Sequence, residues 1–389
     1  MSQQLAYVII TPYTLFKSRT GGILARLITR TGLEMVGARM FAPSQELVQK
    51  YSEFIVSSKD TQDRRIQELI RDYILQNLSP DAKTKRRRRA MMLLFQGDDA
   101  VRKIRSVIGN ISFERRSGET IRDTYGDLIT DEQNNVRYFE PAVLAAPDIE
   151  EAYQKLQLWS DYSDKDGGVL DNTIEYQAGE TPQRTLVLIK PDNFRFPTGR
   201  PGNVIDFFSR TGLYIVGIKV HRMSVAQAIE FYDPVRDVLR NKLKDMVASR
   251  AKATLEKEFG FKIGAPDEKQ LGETLGPIYG DSQFENIVKF MSGRAPSECD
   301  RSQWTEPGLE RCIAIVYEGV EAVRKIRDVL GPTDPSKAPP GSIRREFGQN
   351  IMVNAAHASD SEDNAKREIG IVNVGENNFR KVVEEFSKK

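Results

Sequence analysis

The chain repeats itself, and this limits its possible folds more than any other feature. The apolar run Leu5 to Ile10 is closed by Thr11-Pro12, and Thr185 to Ile189 is closed by Lys190-Pro191. Arg30-Thr31-Gly32-Leu33 returns as Arg210-Thr211-Gly212-Leu213, and each is followed by a second apolar run, Glu34 to Met40 and Tyr214 to Val220. Asp99-Ala100-Val101-Arg102-Lys103-Ile104-Arg105 returns as Glu321-Ala322-Val323-Arg324-Lys325-Ile326-Arg327, with Gly109 and Gly331 beyond. Ile121-Arg122 then matches Ile343-Arg344. Ordered matches of this kind imply a duplicated domain. At 389 residues, each copy is long enough to bury its own core.

The expected division is a first copy over 1–159, an exposed polar linker over 160–183 and a second copy over 184–389. Each copy carries extra material after its second helix, Phe54 to Ala90 in the first and about 234–283 in the second. In the second copy the patterning predicts strands Thr185–Ile189, Tyr214–Arg222, Arg311–Tyr317 and Ile369–Val374. Helices are predicted over Val204–Arg210, Ser224–Tyr232, Val320–Leu330 and Ser361–Glu368, the last capped by Asp360 or Ser359. Val235 to Phe259 reads as a charged helix. Strands and helices in this order predict an α+β fold, two tandem βαββαβ domains, each a small sheet with helices on one face.

Composition excludes several classes. With 57 basic and 55 acidic residues the net charge is +2, so the chain as a whole is not built to seek polyanions. The run Lys85-Arg86-Arg87-Arg88-Arg89 has no interleaved aromatics, a poor nucleic-acid signature, and reads as a solvated loop. No apolar stretch approaches the about 20 residues that cross a bilayer. Two cysteines, Cys299 and Cys312, make no disulfide framework, and a reduced, cytoplasmic setting fits. There are two histidines, His221 and His357, so the first copy has no imidazole for any chemistry. His221 lies in a strand and reads as structural.

His357 stands in Asn354-Ala355-Ala356-His357-Ala358-Ser359-Asp360-Ser361, and three cations keep it company. Lys190 closes the first strand, Arg327 ends a helix before Gly331-Pro332-Thr333-Asp334-Pro335, and Arg344 follows Gly341-Ser342-Ile343. With Leu188-Ile189-Lys190-Pro191-Asp192, Glu230-Phe231-Tyr232, Phe347-Gly348 and Lys366-Arg367-Glu368-Ile369, these motifs resemble the nucleoside diphosphate kinase family, in family order, over roughly 184–375. A weaker version covers 5–158.

The resemblance implies the ferredoxin-like fold, with a four-stranded antiparallel sheet in each copy. It implies ping-pong transfer of the γ-phosphate of ATP to nucleoside diphosphates through a phosphohistidine at His357. Lys190, Arg327 and Arg344 would hold phosphate oxygens, as planar guanidinium groups suit. Thr333 and Tyr232 would assist, Asn354 would meet the ribose, and Ile351 would wall the base. Glu368 would orient His357, and Ser359 would support that carboxylate. Mg²⁺ would arrive on the nucleotide phosphates. The family forms oligomers on a paired-domain dimer, a pair that the two copies would make within one chain.

The sequence also departs from the family. Ala358 stands where Gly is usual, and Met352-Val353 where Gly-Arg is usual; the base-stacking Phe position falls near Gln283 and Phe284. These changes motivate the alternative of a nucleotide-binding regulatory or scaffold protein without turnover. In the first copy Thr11 replaces Lys190 and Tyr13 replaces Asp192, with Tyr138 or Ala145 opposite His357. Arg105, Arg122 and Tyr51 remain there, and the expected role of that copy is to pack against and stabilise the second.

Overall fold

The computed structural model describes residues 3–388 other than 59, 61 and 112–117. By internal contacts the chain divides into two units, one of 1–220 with 313–389 and one of 221–312.

The larger unit holds two sheets built alike. In the first copy β1 (Gln3–Ile10), β2 (Glu34–Phe41) and β3 (Ala90–Asp98) are followed by a hairpin, β4 (Asp127–Thr130) with β5 (Val136–Glu140), and by the short β6 (Val143–Leu144). A two-residue β7 (Gly167–Gly168) precedes the second copy's β8 (Pro182–Ile189), β9 (Tyr214–His221), β10 (Cys312–Val320) and β11 (Ala356–Ala358). The sheet orders are β6-β1-β3-β2-β7 and β11-β8-β10-β9. Leaving out β7, each reads fourth-first-third-second, the ferredoxin-like arrangement. The central strands of both are buried apolar runs, such as Val8, Ile9 and Ile10 or Val187, Leu188 and Ile189. Each such side chain contributes about 1.5–3 kcal/mol of burial.

The registers superimpose. Ile10 faces Met91 on β3 and Val143 on β6, and Ile189 faces Ile313 on β10 and Ala356 on β11. The matching helices of the copies, Thr20–Thr31 and Arg200–Phe208, meet backbone to backbone. A Cβ on Gly21 would sit 2.4 Å from Asp206 N, and one on Gly202 would sit 2.3 Å from Ala25 N. Only glycine at both positions permits that approach.

Several expectations need correction. The stretch 160–183 is not uniformly exposed. Ser160, Ser163, Asp166 and Leu170 are buried, β7 pairs with β2, and Leu170 N donates to Val216 O at 2.9 Å. Its buried polar residues face partners: Asp166 accepts from Ser44 Oγ at 2.6 Å and from Arg87 at 2.8 Å, while most polar residues from Asp171 to Thr181 are exposed. The basic run is likewise no solvated loop. Arg86 pairs with Glu175, and Arg89, 9% exposed, donates to Ile215 O and lies over the Tyr214 ring. The segment Ile369–Val374 is not the closing strand; it falls largely within the helix Glu362–Val372, whose cap is Ser361. Ala365, Glu368 and Val372 share its buried face at helical spacing. The true closing strand, Ala-His-Ala, is three residues long and carries no β-branched signal.

The smaller unit is helical. Val225–Lys242 opens with a capping box of Ser224 and Gln227. The charged segment after it breaks at Leu243, and Lys244–Phe259 and Ala265–Ser292 follow. The long helix carries Gly272, Gly276 and Gly280 against its neighbours; a Cβ on Gly280 would lie 2.6 Å from Arg240 Cα. Arg236 and Arg240 clasp Asp281 across the same contact. His221 is buried and lies 3.2 Å from Gln227 Oε1, a structural placement. Among the described residues no helix is long and apolar enough to cross a membrane.

Candidate active site

His357 sits at the middle of β11. In a strand, neighbouring side chains point to opposite faces. Ala356 and Ala358 are buried, while the His357 side chain is 23% exposed. Ala358 lies within the strand and outside the left-handed region, so its backbone does not call for glycine. The unusual backbone belongs to Ala355, at φ 70°, just before the strand.

The imidazole is held from one side. His357 Nε2 lies 2.9 Å from Glu368 Oε2, and that same oxygen accepts from Ser359 Oγ at 2.6 Å. Glu368 is 5% exposed, Ser359 fully buried. A carboxylate only accepts, so the contact assigns the ring proton to Nε2 and a lone pair to Nδ1.

Lys190 closes β8 beside this strand. Its backbone N donates to Ala355 O at 2.9 Å, and its ammonium donates to Asn354 Oδ1 at 2.9 Å and to Met352 O. Burial, helped by the Arg344 charge and opposed by Asp192, lowers Lys190 to about 8. Arg344 reaches Gly331 O, just past the helix Ala322–Leu330, and Ala356 O in β11. The Arg327 residue is exposed, and its side chain has no hydrogen-bond or ion-pair partner among the described residues. Its charge helps to hold the Asp360 carboxyl low, after the larger effect of the Asn364 hydrogen bond.

Other named residues occupy varied positions. Asn354 is 2% exposed; its amide oxygen takes Lys190, and its nitrogen donates to Thr333 O and Ile351 O. Its side chain therefore braces Lys190. Thr333 is exposed, and Ile351 is 62% exposed. Tyr232 lies in the smaller unit, against Phe231. Phe284 is buried in that unit under Arg236.

Sequence reasoning missed a brace behind Lys190. Asn193 donates to Lys190 O at 2.9 Å and Ala355 O at 2.7 Å. Arg200 ties Asn193 to Asp192, at 2.9 Å to each. Burial raises the Asp192 carboxyl, with Arg200 and Lys190 pulling the other way. The signal was Asp192-Asn193 directly after a strand-ending Lys-Pro, a local turn that fixes the cation.

The first copy shows what replaces this site. Strand register puts Leu144 opposite His357, because Leu144 faces Ile9 as His357 faces Leu188. This corrects the expectation of Tyr138 or Ala145, which the short β6 concealed. Leu144 is 2% exposed. Counting from the matching caps Asp148 and Ser361 puts Lys155 in the place of Glu368. Lys155 is buried and paired to Glu151 at 2.6 Å. Counting from Ser44 and Ser224 puts Tyr51 opposite Phe231, not Tyr232. Tyr51 is a core residue whose hydroxyl faces Tyr7. Thr11, in the place of Lys190, donates to Glu140, which also accepts from Tyr73.

Among the described residues no three His, Cys, Asp or Glu groups gather as a metal cage. The donors around His357 are mainly cationic, a set that suits phosphate oxygens with any metal carried on the nucleotide.

A family model described as nucleoside diphosphate kinase matches residues 237–376. A nucleoside diphosphate kinase of Campylobacter hominis is 30% identical over 193 residues, covering 50% of this chain and 96% of that one. One from Anaplasma phagocytophilum is 30% identical over 187 residues, covering 48% and 90%. A crystal structure of the Aquifex aeolicus nucleoside diphosphate kinase aligns at 27% identity over 49% of this chain and 95% of that one, with a TM-score of 0.31. This α+β chain, with its ordered motifs and one histidine-centred site, belongs to the nucleoside diphosphate kinase family. It is a tandem form in which the first copy has diverged.

Proposed function

We propose that the chain transfers the γ-phosphate of ATP to nucleoside diphosphates through a phosphorylated His357. The carrying observation is the Ser359–Glu368–His357 chain of contacts, at 2.6 and 2.9 Å. It orients the ring and, with the ring proton on Nε2 facing the carboxylate, leaves the Nδ1 lone pair as nucleophile. In the first half-reaction Nδ1 bonds to the γ-phosphorus as the bond to the bridging oxygen breaks. That electron pair leaves with ADP. In the second, a terminal oxygen of the acceptor diphosphate attacks phosphorus and the P–N bond breaks, restoring the neutral ring. Lys190, Arg327 and Arg344 neutralise the charge on the equatorial oxygens. Thr333 assists them, Asn354 braces Lys190 through its side-chain oxygen, and Ile351 walls the base. Mg²⁺ bound to the nucleotide supplies further charge neutralisation. The setting is cytoplasmic, and the tandem copies supply the paired-domain contact of an oligomer.

Incubation with γ-labelled ATP tests the reading. The expected result is an acid-labile, base-stable label on the parent, removed by added diphosphate and absent from His357→Gln. Transfer in His357→Gln should fall by several orders of magnitude, because the nucleophile is gone. Nucleotide binding without label in the parent would sink the kinase reading and favour a nucleotide-binding regulator.

A further inference from the structure

The first copy keeps the counterparts of both arginines. Asp99 and Glu321 open their helices with matching left-handed caps, and Gly109 and Gly331 close them at φ 81° and 82°. Arg105 therefore corresponds to Arg327. Arg122 corresponds to Arg344, since Arg122 binds Gly109 O and Val143 O as Arg344 binds Gly331 O and Ala356 O. Yet the two pairs meet different surroundings. The exposed Arg327 has no side-chain hydrogen-bond or ion-pair partner among the described residues, whereas Arg105 is ion-paired to Asp60 at 2.7 Å. The two side chains of that ion pair are 14% and 9% exposed.

Asp60 is held there by local structure. The same oxygen accepts from Gln62 N at 2.9 Å. Gln62 then reaches both ways, accepting from Arg122 at 3.2 Å and donating to Ile111 O at 3.2 Å. Gln67, at the start of the inserted helix Arg64–Asn77, receives Ser57 N and donates to Gln62 O, so it pins the loop from behind. A largely buried carboxylate thus meets one arginine of the pair, and a buried amide meets the other. A buried and a largely buried guanidinium side by side without an anion would be costly.

We propose that the first copy contains an anion site for a diphosphate group which the chain fills with its own Asp60. The inserted segment carries the plug, and the copy is closed to nucleotide while Asp60 is in place. The phosphate-holding role proposed above for Arg327 and Arg344 underlies this site, but the test reads the first copy separately.

The test compares the full-length parent with Asp60→Ala and Asp60→Asn, following the thermal midpoint as inorganic pyrophosphate is added. Asp60→Asn keeps the side-chain volume and serves where Asp60→Ala folds poorly. Without anion both variants should melt below the parent. With pyrophosphate their midpoints should climb more steeply than the parent's. That extra climb should vanish when Arg105→Gln is added to either variant, which separates this site from the second copy and from general charge effects. A parent that pyrophosphate stabilises, with no further gain in the Asp60 variants, overturns the proposal and leaves the reading of the second copy standing. Extra gain that survives Arg105→Gln also overturns it. Stabilisation of no chain overturns both readings.

Discussion

The two copies share strand order, sheet register and a glycine-mediated helix crossing, yet they differ at nearly every position around the last strand. His357 faces Leu188 in one, and Leu144 faces Ile9 in the other. Lys190 becomes Thr11, Glu368 becomes Lys155, and the exposed Arg327 becomes Arg105 paired to Asp60. The fold survives because its core is strand burial and helix crossing, which none of these residues supplies. The site does not survive, because each of its members depends on another: a histidine without Glu368 has no fixed tautomer, and paired arginines without phosphate demand another anion. Divergence at one member therefore releases the rest.

The largest effect that tests this contrast lies at Glu368. Glu368→Gln keeps the shape but replaces an acceptor-only group with an amide, whose N–H can meet the ring nitrogen. Single-turnover phosphorylation should slow by about 10²- to 10⁴-fold. A parent-like rate would mean that the ring is oriented by something else, and the contrast with Lys155 would lose its meaning. Next is the buried cation. Lys190 in the free protein loses its proton near pH 8. The ammonium is the form that holds phosphate, so kcat/KM should fall as pH rises past about 8, approaching about tenfold per unit. Lys190→Arg should move that alkaline limb to higher pH. A limb that stays in place in Lys190→Arg assigns it to another group.

A smaller effect tests what the copies share. Gly202→Ala gains about 1 kcal/mol of helix propensity. Against it stands a methyl placed 2.3 Å from a backbone nitrogen of the other copy, and overpacking of that kind costs about 1–3 kcal/mol or more. The clash should win, lowering the midpoint in denaturant. Gly370→Ala is the control: it is helical, nothing lies within 4 Å of its added methyl, and it should be neutral or stabilising. Equal behaviour of the two variants would show that the helix crossing is looser than drawn.

The sequence made the duplication, the first three strands of the second copy and the cluster around His357 legible, because those rest on local apolar runs and on motifs that keep their spacing. It concealed features set by partners distant along the chain. Asp166 and Arg89 read as solvent-facing, and they are buried because each meets a partner from another segment, the Arg87 guanidinium for Asp166 and the Ile215 carbonyl for Arg89. Residues 369–372 read as strand because short apolar runs do not separate strand from helix; Glu368 on the same buried face as Val372 decides it. The partner of His357 in the first copy was misplaced for want of a register, which only pairing with β1 supplies.

The smallest expected effect follows from that register. Leu144→His returns an imidazole to the first copy at the position His357 holds in the second. Resemblance at one position would suggest some gain. The surroundings argue otherwise. Lys155 occupies the place of Glu368 and is already neutralised by Glu151 at 2.6 Å, so the new ring meets a cation's aliphatic stem and no orienting carboxylate. Thr11 offers no charge to a phosphate, and Arg105 is occupied by Asp60. In a His357→Gln background, Leu144→His should therefore take up no label from γ-labelled ATP, and the buried polar ring should lower stability by about 1–3 kcal/mol. A base-stable label on that double variant would show that the histidine alone makes this fold a phosphate carrier, and that the rest of the second copy's site only tunes it.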